Sequence, residues 1–126
     1  WIYENITPDP TSWLQSPAAA RTLENGIGMD KHAAILFAAM ARARGLHARI
    51  CAGRLYSMGL FVPHFWNEVF IDGKWWPIDA TAADSRAYSV PLLIKYAHGA
   101  TIDQAASAVE KIDAKLIIKI TDYGYK

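Results

Sequence analysis

The stretch that decides the fold is His64–Thr81, which reads HFWNEVFIDGKWWPIDAT. Aromatic and β-branched residues run along both of its halves, as is typical of strands. Between the halves, Asp72-Gly73 is typical of a two-residue hairpin turn. We therefore predict two antiparallel strands, Phe61–Ile71 and Lys74–Asp79, that pair directly across this turn.

Side-chain alternation along these strands predicts where the polar groups lie. His64, Trp66 and Glu68 share one face of the first strand, and Asp79 shares that face on the second. Asp79 is then diagonal to His64, close enough for a carboxylate to reach an imidazole. A carboxylate that orients an imidazole and stabilises its charged form is central to general-base catalysis. The pair also fits an ordinary structural hydrogen bond, and the spacing leaves both interpretations open.

The strongest predicted helix lies upstream of the hairpin. Asp30 is predicted to cap it, Lys31–Arg44 contains no Gly or Pro, and Gly45 is expected to end it. Its centre, Ala33–Ala41, is apolar on every side, whereas a surface helix has one polar face. We therefore expect this helix to be the most buried element of the chain, wrapped by the sheet and by other helices.

The rest of the chain predicts an α+β fold, with helices first and a mostly antiparallel sheet after them. Ser16-Pro17 is typical of a helix start, and Val90–Ala97 is ambiguous but compatible with a helix. The other predicted elements are a short helix or strand at 1–6, strands at 47–52 and 54–58, a helix at 101–112 and a final strand at 114–120.

Length and composition restrict the possible classes of protein. The 126 residues, 52% of them hydrophobic and 20% charged, suit one folded domain over 1–126. Because the first residue is Trp1 rather than Met, we expect this domain to be part of a larger protein. The balance of 13 basic and 12 acidic residues argues against a nucleic-acid-binding surface. The longest apolar run, Ala33–Ala41, is far shorter than the roughly 20 residues of a membrane-spanning helix.

Two segments resemble the transglutaminase-like superfamily. Residues 28–49, GMDKHAAILFAAMARARGLHAR, resemble the family's Gly-x-Cys and the alanine-rich helix that follows it, which ends in Arg-x-x-Gly-Ile-Pro-Ala-Arg. Residues 64–81 resemble the family's block from His-Ala-Trp-x-Glu-Val to Trp-x-x-x-Asp-x-Thr, and the two segments occur in the family's order. The resemblance implies a papain-like or transglutaminase-like core, in which a central buried helix packs on an antiparallel β-sheet.

The resemblance also implies a catalytic site. In the family, a Cys at the start of the buried helix meets a His and an Asp on the sheet, and these two match His64 and Asp79. The Cys position falls on Asp30 when the helix is aligned without a gap, or on Met29 after a shift of one residue, and neither is a thiol. The family includes protein-crosslinking enzymes, amide hydrolases and cysteine peptidases, whose chemistry needs a thiolate.

Three substitutes for the missing thiol can be compared. Asp30 is a poor nucleophile toward amides but a good helix cap. Cys51, the only cysteine, lies in a predicted strand, where we expect a small buried hydrophobe rather than a nucleophile. Asp30, His64 and Asp79 offer two carboxylates and an imidazole to a metal ion, but their spacing does not demand one, and we expect no metal and no cofactor.

The sequence therefore predicts a transglutaminase-like domain that lacks the catalytic thiol and serves as a binding or structural module. Its expected partner is a protein or peptide segment. The candidate cleft residues are Trp66, Trp75 and Met29, although the two tryptophans fit core positions as well. The alternative is a thiol-dependent amide hydrolase, peptidase or transamidase in which Asp30 replaces the nucleophile, naturally or by engineering. A purely architectural domain without a ligand is the third possibility.

Overall fold

A computed structural model of the chain describes residues 1–14, 18–82 and 93–113. The elements, in chain order, are α1 (Ile2–Asn5), β1 (Thr7–Pro8), a 3-10 helix (Pro10–Leu14), α2 (Ala19–Asn25), β2 (Ile27–Gly28), α3 (Asp30–Ala43), β3 (His47–Ser57), β4 (Leu60–Ile71), β5 (Lys74–Ile78), β6 (Leu93–Gly99) and α4 (Ile102–Asp113). None of the helices in the described part of the chain is long and apolar enough to cross a membrane.

Among the described residues, the main sheet has four antiparallel strands in the order β5-β4-β3-β6. Strands β4 and β5 form the predicted hairpin in the predicted register. Its turn residues Asp72 and Gly73 have φ angles of 51° and 78°, the left-handed values that favour an Asp-Gly turn. The pairing ends where Asn67 lies opposite Ile78. Strand β5 therefore leaves the earlier part of β4, including His64, without a strand partner on that side.

Helix α3 packs on the sheet through small side chains. Ala34 and Ala38 form a buried cluster with residues of β3, and Ala41 forms another with Ala48 and Val69. Alanines allow the helix to approach the strands closely, so little space is left between the layers. On its other side, Leu36 is buried in a cluster with Ile2 of α1 and with Ile6, which follows α1.

The predicted burial of α3 is confirmed for most of its length. Of its apolar centre, Ala33, Leu36 and Ala38 are almost inaccessible to solvent. The exceptions are Ala39 and Met40, which are exposed in spite of the apolar sequence around them.

The structure assigns part of the segment that the sequence left ambiguous, and it shows that one prediction about β-structure is wrong. Residues 93–99 form a strand, because they pair along the edge of β3. The two strands predicted within 47–58 are one continuous strand, since Gly53 does not interrupt it. A Cβ on Gly53 would lie 1.9 Å from the carbonyl oxygen of Ile94. The glycine therefore permits a close approach of β6 at the point where the register between the two strands shifts.

The start of α3 also differs from the prediction. Asp30 is the first residue of the helix rather than its cap, and Met29 occupies the cap position. The backbone N–H of Met29 donates to Nδ1 of His32, 3.1 Å away. The carboxylate of Asp30 is therefore not the cap of α3. The predicted helix start at Ser16-Pro17 and the predicted strand at 114–120 lie outside the described residues.

Candidate active site

Three side chains predicted to form a site meet at the N-terminal end of α3. Nε2 of His64 lies 2.6 Å from Oδ2 of Asp79, as the hairpin geometry predicted. Nδ1 of the same ring lies 3.1 Å from Oδ2 of Asp30. The imidazole is therefore held between two carboxylates, one bonded to each of its nitrogens. All three groups are largely shielded from solvent, with side chains 10–13% exposed.

Asp79 is oriented by the residue two positions further along the chain. Both the backbone N–H and the hydroxyl of Thr81 donate to Oδ1 of Asp79, at 3.0 and 2.6 Å. The other oxygen, Oδ2, is thereby directed at His64. No role for Thr81 was predicted from the sequence. The signal was present in the Asp-x-Thr spacing, because an Asp side chain commonly bonds to the backbone two residues on.

Asp30 is held by two backbone donors. Its Oδ1 accepts a hydrogen bond of 2.9 Å from the N–H of Lys31, within the first turn of α3. Its Oδ2 accepts one of 3.0 Å from the N–H of Phe65, the residue next to His64 on β4. Phe65 lies in the part of β4 that is not paired with β5, so its N–H is available to Asp30. Asp30 therefore joins the helix to the sheet while it contacts the imidazole.

The two carboxylates determine the charge of the imidazole. Burial alone lowers the pKa of His64, but the hydrogen bonds and charges of Asp30 and Asp79 outweigh it and raise the pKa to about 9. Burial likewise raises the pKa of Asp79, but its bonds to His64 and Thr81 and the charge of His64 prevail and lower it. At neutral pH the site therefore holds an imidazolium that donates one hydrogen bond to each carboxylate.

A cavity of about 600 Å³ opens beside these side chains. Its walls are mostly apolar and come from the start of the chain, the start of α3, β4 and the segment after β5. The lining residues are Ile2, Tyr3, Ile6, Pro8, Trp13, Gly28, Met29, Asp30, Ala33, Val62, Pro63, His64, Ala80 and Thr81. The contribution of residues 2–13 was not predicted, because nothing in their local pattern indicates which distant segment they pack against.

The three candidate cleft residues lie in different places. Met29 lines the cavity beside His64. Trp66 is only 3% exposed, and its ring lies parallel to that of His64 with the centroids 6.3 Å apart. Trp75 lies under the guanidinium of Arg49, 3.9 Å from the ring centroid, and lines a separate cavity. The structure therefore brings Met29 to the cavity and places both tryptophans outside its lining.

Cys51 is fully buried in β3, as predicted. Burial, followed by the negative charge of Glu68, raises the pKa of its thiol to about 12. The thiolate is therefore strongly disfavoured at neutral pH, and a thiol without thiolate character is a poor nucleophile.

Metal binding finds no support in the geometry of the site. Within the ranges that the structure describes, no group of three or more His, Cys, Asp and Glu side chains is arranged to hold a metal ion. Both ring nitrogens of His64 are already engaged by carboxylates. A metal ion would have to displace at least one of these bonds.

Comparisons with known proteins agree with this architecture. Residues 1–80 match the family model described as the transglutaminase-like superfamily. A crystal structure of a candidate cysteine protease from Cytophaga hutchinsonii superposes with a TM-score of 0.73 at 28% sequence identity. The match covers 84% of this chain but 35% of that protein, so the chain spans about a third of its length. No curated protein matches the chain. The mixed α+β fold predicted from sequence is that of these relatives.

Proposed function

Since the chain belongs to the transglutaminase-like superfamily, we propose that it is a domain of this family without the catalytic thiol, which binds a peptide or protein segment without cleaving it. The observation that carries the proposal is the contact of 3.1 Å between Oδ2 of Asp30 and Nδ1 of His64. Asp30 begins the buried helix, the position at which the family resemblance puts the nucleophilic Cys. A carboxylate thus stands where a thiolate would face the histidine.

The protonation of the site supports a non-catalytic role. A Cys-His pair works because the imidazole accepts the thiol proton and the resulting thiolate attacks a carbonyl carbon. Here the pKa of His64 is about 9, so the ring already carries its proton at neutral pH. It cannot act as a general base while both carboxylates hold it. Cys51 offers no substitute, because burial raises its pKa to about 12.

The cavity beside His64 supports ligand binding. It has the volume and apolar lining that are usual for sites that receive a side chain or small molecule. Tyr3 and Trp13, both partly exposed, lie at its wall and can pack against an apolar side chain. We therefore expect the ligand to be a peptide segment that inserts an aliphatic or aromatic side chain.

Binding can be tested by calorimetric titration of the chain with short peptides that differ in one central residue. Peptides with Leu or Phe are expected to bind, and matched peptides with Ser are expected to bind at least about tenfold more weakly, since one buried apolar side chain contributes about 1.5–3 kcal/mol. Val62→Gln, in the cavity wall, should weaken binding, whereas Leu60→Gln, exposed on the same strand, should not. Equal binding of all peptides would contradict the proposal.

The alternative is an enzyme of the same family in which Asp30 replaces the nucleophile. It is favoured by one observation, the structural match to a candidate cysteine protease. The two proposals differ in whether the wild-type chain acts on peptide amides. We expect no cleavage and no crosslinking of peptide amides by the wild type or by Cys51→Ser. Turnover by the Cys51→Ser protein would show that a group other than a thiol performs the reaction and would overturn the non-catalytic proposal.

A further inference from the structure

A second cavity, of about 430 Å³, is lined by the C-terminal end of α3, the start of β3 and the end of β6. It has no lining residue in common with the cavity beside His64. The lining residues are Arg42, Leu46, His47, Ala48, Arg49, Trp75, His98, Gly99 and Ala100. The described lining residues thus include two guanidinium groups and two imidazoles, and none of them carries a carboxylate. We refer to this cavity as the basic pocket.

Arg42 is fixed in place by the backbone. Its Nε and Nη2 donate to the carbonyl oxygen of Ala48, at 3.3 and 2.9 Å. Nη2 also donates to the carbonyl oxygen of Ala100, at 2.7 Å. Among the residues that the structure describes, Nη1 has no hydrogen-bond acceptor. A positive charge is therefore held rigidly at the basic pocket with donor capacity to spare.

Arg49 is held just as firmly, by side chains. Its Nε and Nη2 donate to Oε2 of Glu68, at 2.6 and 2.5 Å, and its guanidinium stacks on Trp75. Nη1 lies 3.2 Å from Nε2 of His98. Since an arginine can only donate, Nε2 of His98 is the acceptor, and the proton of a neutral His98 ring is on Nδ1. Nδ1 of the neutral His98 ring is therefore an N–H donor.

The charges around Glu68 do not cancel. Its other oxygen, Oε1, accepts a bond of 2.7 Å from Nζ of Lys95. One carboxylate therefore neutralises only one of the two cations that contact it, and Arg42 adds a third. Burial and the charges of Arg49 and Lys95 lower the pKa of His98, as an excess of positive charge would. The excess sits at a concave surface that already offers oriented N–H donors.

We propose that the basic pocket binds a small oxyanion, a carboxylate or phosphate group carried by a ligand that packs against Trp75. Arg42 Nη1 would supply the principal charge-assisted hydrogen bond, and the positive potential of Arg49 and Lys95 would add to it. The site is independent of the cavity beside His64 and of any role for Asp30. Carboxylate and phosphate oxygens both accept hydrogen bonds from arginine, so both oxyanions are titrated.

The test is a titration followed by the backbone amide signals of the ¹⁵N-labelled chain, with inorganic phosphate and with acetate in separate arms. Sodium chloride at matched ionic strength is the reference. We expect saturable shifts at the amides of Ala48, Gly99 and Ala100 with one or both oxyanions, and only weak, non-saturable shifts with chloride. The stronger of the two arms identifies which oxyanion the basic pocket prefers.

Variants localise the binding. Arg42→Gln should weaken the affinity about tenfold, as expected for loss of one charge-assisted hydrogen bond. Arg44→Gln is the matched control, because it removes the same charge from an exposed position that does not line the pocket. His98→Ala, an exposed position, tests the pocket should Arg42→Gln not fold, and it too should weaken binding. Shifts no larger than those of chloride, or equal losses in Arg42→Gln and Arg44→Gln, would overturn the proposal.

Discussion

Asp30 places a carboxylate oxygen 3.1 Å from Nδ1 of His64, on the opposite side of the ring from Asp79. The two residues are far apart in the sequence and lie on different elements, the start of α3 and the unpaired part of β4. The contact gives the imidazole a second anionic partner and raises its pKa to about 9.

The first prediction concerns the dependence of stability on pH. The pKa of His64 is raised from about 6.5 in the unfolded chain to about 9 in the folded state, so its stabilising effect is complete below pH 6.5. Above that pH the unfolded chain loses the proton first, and the effect is lost as the pH passes 9. We expect a loss of about 3 kcal/mol over this range.

Urea unfolding at a series of pH values measures this loss. His64→Gln is the control, since it removes the titrating group. Cys51, whose pKa is also raised, titrates in both proteins and cancels from the comparison. Parallel stability curves for the wild type and His64→Gln would show that His64 does not carry the pH dependence.

The second prediction concerns Asp30→Cys in a Cys51→Ser background. The new thiol would lie at the N-terminal end of a helix and beside an imidazolium, and both favour its thiolate. We expect alkylation by iodoacetamide well above the rate of Cys51 in the wild type, because burial raises the pKa of that thiol to about 12. Adding His64→Ala should slow the reaction. If the new thiol were alkylated as slowly as Cys51 is in the wild type, the site would be unable to activate a thiol.

The third prediction concerns Thr81. Thr81→Val removes the hydroxyl that donates to Oδ1 of Asp79 but leaves the backbone donor in place. With one of its two orienting bonds gone, the Asp79 carboxylate can rotate, and the contact between its Oδ2 and Nε2 of His64 should lengthen and weaken. We expect the pKa of His64 to fall by roughly 0.5–1, a fraction of the free energy of one hydrogen bond to a charged group.

An NMR titration of the His64 ring protons measures that pKa. Thr101→Val is a suitable control, because the Thr101 hydroxyl accepts a hydrogen bond from the backbone of Gln104, outside the site. An unchanged His64 pKa in Thr81→Val would show that Thr81 does not position Asp79.

The fourth prediction concerns the core around α3. Leu36 is 2% exposed and belongs to a buried cluster with Ile2, Ile6 and Ala80. Leu36→Ala should lower the free energy of unfolding by about 2–5 kcal/mol, because a cavity replaces the side chain. Met40→Ala on the same helix, where the side chain is 40% exposed, should cost less than about 1 kcal/mol. If chemical denaturation gave equal losses of unfolding free energy for Leu36→Ala and Met40→Ala, Leu36 would not be more deeply buried than Met40.

Local sequence rules predicted the hairpin and the contact between His64 and Asp79. The Asp-Gly turn sets the register of β4 and β5, and the two-residue period of a strand then assigns each side chain to a face. The buried centre of α3 was predictable for a similar reason, since an apolar stretch without a polar face must be covered. These features depend on residues close together in the chain, so the sequence by itself determined them.

Other features depend on segments that meet only in the folded chain. The residues of β6 were compatible with a helix, and the edge of β3 made them a strand. Asp30 was expected to cap α3, but it is the first residue of the helix, and its Oδ2 contacts the N–H of Phe65 and the ring of His64. The basic pocket exists because the end of α3 reaches Ala100. Only the tertiary structure decided these features, because each is a contact between residues whose local sequences carry no information about one another.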